Sequence, residues 1–204
     1  MVIPLELIDY KPVSFPIPKY YFDHFDFTRS EAEQYYSWFL SSVDIRAAYL
    51  RDFISEKRKI AQTKLDYSPD SLVLVWEWFL SIAFAEPMHG AELDAVRKRY
   101  EGVRQPEFDI LVKEHSLRLS TTTEYVLFDI GMYIAKMFMD NYPCLKWSLK
   151  LKPKRAHNLN LPLIVGFIDD SPEYNKPFYP ELDPIDLART PAMKLIRAHA
   201  EAPK

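Results

Sequence analysis

Among the residues able to do chemistry, Asp129 is the most conspicuous, because it interrupts an apolar helical stretch formed by Val126, Ile130, Ile134, Met137 and Phe138. A carboxyl in that setting must be ion-paired, hydrogen-bonded or protonated. Tyr125 and Tyr133 lie one turn before and one turn after it, so the three share a helix face. One reading makes them weak candidates for catalytic groups lining a cleft, with Arg46 or His157 brought to them by the fold. The other, preferred, reading is architectural: the acid bonds to a tyrosine, a backbone group or an arginine from elsewhere, as buried acids usually do. Glu124 stands five positions before Asp129, about 140° around the axis, so the two do not form a carboxylate pair.

Metal chemistry has little to work with. His24, His89, His115, His157 and His199 include no His-x-x-x-His spacing, and one cysteine cannot supply a thiolate cluster. Asp23-His24-Phe25-Asp26 gathers suitable atoms, but its aromatic setting favours a packing role. No metal and no cofactor is expected. Cys144, beside Tyr142, Pro143 and Leu145, reads as a buried, inert thiol. Four glycines leave no glycine-rich phosphate cradle, and there is no Gly-x-Ser-x-Gly elbow.

Charge is segregated near the C-terminus. Residues 141–168 contain no acid, whereas 169–186 carry six acids and one lysine. Lys150, Lys152, Lys154 and Arg155, with Lys146 nearby, offer a basic face; Asp169, Asp170, Glu173, Glu181 and Asp183 offer an acidic one. The basic face suits nucleic acid, with Trp147 available for stacking. Alternatively the acidic segment neutralises it within the fold, or the lysines guard a strand edge against aggregation, which is the preferred reading.

These residues are positioned by recognisable elements. Residues 1–27 interleave prolines with aromatics and predict an extended arm or edge strand laid on the body. A helical body follows over 28–141. Ser30 and Glu33 make a capping box, and apolar spacing runs from Ala32 to Ile54 with a break permitted at Ser41, Ser42 and Asp44. A second helix over Leu72–Ala85 is apolar on most sides and is expected to be central. A surface helix fits 91–100, and a firm helix fits 122–141 behind a Thr121/Glu124 capping box. The period then switches to two: Leu145, Trp147, Leu149 and Leu151 alternate with polar residues, and 161–168 is a β-branched run, so 145–168 holds two strands joined by a long loop. The acidic, proline-rich segment 169–204 ends in a short helix capped at Thr190-Pro191. Trp-Phe-Leu-Ser occurs at both 38–41 and 78–81, and coincidence is preferred to duplication because the flanks do not match. The expected class is α+β: one helix-dominated domain with a small C-terminal antiparallel sheet.

Totals agree with that class. The chain has 204 residues, 48% hydrophobic and 27% charged, with net charge −3, which argues against disorder and gives no pull toward polyanions overall. Aromatics reach 15%, enough for a well-filled core or an adhesive surface. The first residues show no basic-then-apolar signal pattern, and the run 71–85 is too short to span a bilayer, which needs about 20 residues. With one cysteine, a cytoplasmic protein away from membranes is expected.

Several motifs together resemble a family of uncharacterised bacterial proteins. They are Trp38-Phe39, Arg46, Leu50, Trp76-Glu77-Trp78-Phe79, Phe128-Asp129-Ile130-Gly131-Met132-Tyr133, Leu145-Lys146-Trp147, Lys152-Pro153-Lys154, the run Asn160 to Phe167, and Asp183-Pro184-Ile185. A glycine-acid pair seen in such proteins is replaced here by Ala135-Lys136, so no role for that acid carries over. The resemblance implies similarity to small immunity proteins of bacterial toxin systems. Taken with the aromatic excess, it leads to the expectation of a non-enzymatic module that binds a protein, in particular a toxin domain. An enzyme with a cleft around Asp129 and a nucleic-acid binder using 146–155 are the alternatives.

Overall fold

Capping chemistry decides where the longest helix begins. In the computed structural model, which describes residues 5–17, 21–154, 156–168 and 179–201, α1 runs Arg29–Arg58 behind an extended Thr28. The Thr28 hydroxyl accepts from the Glu31 amide at 3.2 Å, and Glu31 accepts from the Thr28 amide at 2.7 Å. The capping box is therefore Thr28/Glu31, two residues ahead of the expected Ser30/Glu33. Nor does the helix break at Ser41 to Asp44: the Ser41 hydroxyl bonds back to the Trp38 carbonyl at 2.8 Å, which keeps a serine compatible with the helix interior.

The N-terminal arm lies on the body but contains no strand in its described part. It makes 3-10 turns at Leu5–Leu7 and Tyr21–Asp26. Pro12 and Pro16 lack the N–H groups that a sheet edge would use. Tyr10, Val13, Ile17 and Phe27 are nonetheless buried.

The remaining elements are α2 (Pro69–Ile82), β1 (Ala85–Pro87), α3 (Ala91–Arg99), α4 (Glu107–His115), β2 (Leu117–Leu119), α5 (Thr121–Asn141), β3 (Lys146–Leu149), β4 (Pro162–Val165) and α6 (Pro184–Glu201). Helices dominate, in accord with the expected α+β class. β3 pairs antiparallel with β4, Trp147 opposite Ile164, as the alternation predicts. A second ribbon, β1 with β2, was not expected. It places Glu86 opposite Arg118, 3.5 Å apart as an ion pair, in strands too short to show a period of two.

The central helix is α5, not α2. Twelve α5 residues from Thr123 to Met137 are buried, and α1, α2 and α6 all pack on it. On α2 only Ser71, Val75, Trp78, Phe79 and Ile82 are buried, while Val73 and Leu80 are exposed. Two apolar clusters result. One joins Tyr10, Leu50, Phe53, Trp78 and Ile130; the other joins Tyr35, Phe39, Phe128, Met132 and the β3–β4 sheet. The two Trp-Phe-Leu-Ser copies sit in helices of 30 and 14 residues.

The terminal helix begins seven residues earlier than Thr190-Pro191 implies. The Asp183 carboxylate accepts from the Ile185 amide at 2.9 Å, and Pro184 occupies the first turn. Pro191 is then carried inside the helix on its exposed side, where one lost backbone bond is tolerated. Close packing compensates: a Cβ on Gly131 would lie 2.9 Å from the Ile185 Cα and 3.0 Å from the Pro184 carbonyl oxygen, so only glycine lets α6 approach α5 this closely.

Candidate functional site

Asp129 is 0% exposed and lies at the seam between the two apolar clusters. Arg46, projecting from the middle of α1, grips it in fork geometry: Nε donates to Oδ1 at 2.8 Å, and a terminal nitrogen donates to Oδ2. The Tyr10 hydroxyl donates to Oδ2 as well. Arg46 also reaches the Lys11 carbonyl at 2.8 Å and lies over the Tyr49 ring, 4.5 Å from its centroid. The Lys11 amide in turn donates to the Tyr49 hydroxyl at 2.7 Å. The network therefore clasps the N-terminal arm against α1 and α5.

Electrostatics follow from burial. Loss of water pushes the Asp129 carboxyl above its ordinary range, and the bonds from Arg46 and Tyr10 pull back against that push. Burial, reinforced by the neighbouring carboxylate, sends the Tyr10 hydroxyl well above its usual value. Burial opposes the Arg46 charge too, but Asp129 outweighs it and the guanidinium holds its proton more tightly than usual.

Tyr125 and Tyr133 do not join this network. Tyr133 bonds to the Ser71 hydroxyl at 2.7 Å and accepts from the Tyr67 amide at 3.3 Å, and burial raises its hydroxyl. Tyr125 packs near Phe15. His157 is elsewhere: its carbonyl accepts from the His24 ring at 3.2 Å. Sequence spacing thus brought together the wrong tyrosines. Tyr10 came from 119 residues away, and no periodicity in the arm marked it.

The other candidates are dispersed. Cys144 is exposed, against the buried thiol expected, because it sits in the turn that follows α5. His89 is exposed and His115 bonds the Leu111 carbonyl at 2.9 Å in its own helix. Among the described residues no group of three or more histidine, cysteine or acidic side chains is arranged to hold a metal. Trp147 is half-buried and meets Phe39 with the two rings near perpendicular, centroids 5.7 Å apart. Lys136 bridges Asp44 at 2.9 Å and Asp140 at 3.0 Å.

One residue of the basic group, Lys150, meets one of the acidic group, Glu181. Glu181 takes an ion pair from Lys150 and a hydrogen bond from Asn158 at 3.2 Å, and Asp183 caps α6. Lys152 and Lys154 are exposed. Arg155, Asp169, Asp170 and Glu173 lie outside the described residues.

A groove of about 320 Å³ opens between α2 and α6, lined by Pro69, Leu72, Val73, Trp76, Glu77, Ile134, Leu187 and Pro191. Val73 is 56% exposed and Leu187 38%. Among the described residues no helix is long and apolar enough to cross a membrane.

Compared with protein-family models, with curated proteins and with solved structures, the chain matches none.

Proposed function

We propose that the chain is a protein-binding module whose docking face is the α2–α6 groove, and that its particular role is of the immunity type, the occlusion of a toxin domain. One observation carries the reading: the groove leaves Val73 and Leu187 open to water beside the partly buried Trp76. An apolar groove left open to water offers a partner side chains that it can bury. Trp76 supplies the aromatic anchor that interfaces favour. Glu77 is the only charge among the described lining residues. The fitting occupant is therefore an amphipathic helix of the partner, apolar along one side with a lysine or arginine set against Glu77. Asp129 supports the non-enzymatic part of the proposal, since its oxygens are engaged by Arg46 and Tyr10.

The test pairs the purified chain with each candidate toxin domain encoded beside its gene, and a neighbourhood that encodes none counts against the immunity role. Wild type should bind saturably and restore growth to cells making the toxin. A Val73→Glu, Leu187→Glu variant with unchanged thermal unfolding should bind about 30-fold more weakly or worse and fail to protect. A toxin left fully active by wild type, or equal protection by the variant, overturns the proposal.

A further inference from the structure

A second hollow, remote in chemistry from the apolar groove, has a volume of about 650 Å³ and is lined by Phe25, Phe27, Arg29, Leu151, Lys152, Lys154, Leu159 and Asn160. That volume is in the range of small-ligand sites. Three of these residues are cations, two are aromatic, and none is an acid. Lys150, two positions earlier, is neutralised by Glu181, whereas Lys152 and Lys154 have no acidic partner among the described residues. Arg29 pairs with Glu33 at 2.8 Å, but both side chains are largely exposed, and a surface pair of that kind yields readily to a stronger anion.

The hollow has a built frame. The Asn160 amide, itself only 6% exposed, donates to the His24 carbonyl at 2.8 Å and to the Phe27 carbonyl at 3.3 Å. The His24 ring donates to the His157 carbonyl. These bonds stitch the Tyr21–Asp26 turn to the loop after β3 and fix the spacing of the two walls. Phe27 and Leu159 are buried against the body. Phe25 rests on the His24 ring, centroids 4.1 Å apart, and stays 51% exposed. Phe25 thus keeps half its surface in water, in a hollow shared with two lysines that have no acidic partner among the described residues. An exposed aromatic side chain in one hollow with three cations fits a ligand with a flat apolar ring and a phosphate.

We propose that this hollow binds a nucleotide unit, the base on Phe25 and the phosphate among Arg29, Lys152 and Lys154. The unit is either a free nucleoside monophosphate or one residue of a single strand. The site is independent of the α2–α6 groove. Its test is titration of the full-length chain with adenosine monophosphate, adenosine, inorganic phosphate and a short adenine oligonucleotide, by calorimetry and fluorescence anisotropy at several salt concentrations. Saturable binding of the monophosphate, stronger than adenosine or phosphate alone, supports a free nucleotide; binding by the oligonucleotide only, with a steep salt dependence, supports a strand. Lys152→Glu with Lys154→Glu should weaken either at least tenfold, and Phe25→Ala should weaken it roughly five- to a hundredfold. All three positions are exposed, so thermal unfolding should be unchanged and confirms that the variants are folded. Absence of saturable binding, phosphate binding as well as the nucleotide, or variants that bind like wild type would each overturn the assignment.

Discussion

Arg46 and Lys152 are both cations in one small protein, yet their surroundings differ in kind. Arg46 reaches into the seam between the two apolar clusters and finds a carboxylate, a carbonyl and an aromatic ring, all supplied by the chain. Lys152 stands at the rim of an open hollow beside Lys154 and Phe25, with no acidic partner among the described residues. Desolvated charge must be answered inside the fold, because an unanswered one costs several kcal/mol. Solvated charge is answered by water and stays available to a ligand. We therefore read Asp129 as architectural and propose the lysines as candidates for contact with a ligand.

Substitutions can break or sharpen that contrast. The largest effect is expected for Asp129→Ala, which strands Arg46 and should cost about 3 kcal/mol in denaturant unfolding, near the low end for a buried pair because Arg46 keeps an edge in water. A loss under about 1 kcal/mol, within the reach of a surface pair, would mean that the clasp is not architectural. Tyr10→Phe removes one bond to a charged oxygen and should cost about 2 kcal/mol, with proteolysis of the loosened N-terminal arm as an independent readout.

A subtler effect is expected with pH. In Arg46→Met the pull that lowers the Asp129 carboxyl is gone while the burial that raises it stays, so the folded-state pKa climbs further above the unfolded value. The folded form then takes up a proton that the unfolded form does not. The variant's deficit relative to wild type should shrink as pH falls from neutrality toward the ordinary carboxylate value of 3.8. A deficit that is constant or grows on acidification would show that Asp129 is not the group in control. Smallest of all, Lys152→Glu with Lys154→Glu should alter stability by no more than about 0.5 kcal/mol, because no described acid depends on either lysine. A larger loss would move them to the architectural side.

Local signals in the sequence were sufficient for what local forces govern. The apolar spacing of Val126 to Phe138 marked α5, and the alternation of Leu145 to Leu151 marked β3, because backbone bonds and side-chain direction are set within a few residues. The need of Asp129 for a partner was legible too, since burying a charge is costly wherever the chain leads. Only the tertiary structure decided that the partners are Arg46, 83 positions away, and Tyr10. It also decided that Pro191 falls inside a helix, that α5 and not α2 is central, and that Phe25 meets Lys152 across a shared hollow. Those outcomes depend on which surfaces pack together, and packing between distant segments leaves no period or spacing in the chain to be read.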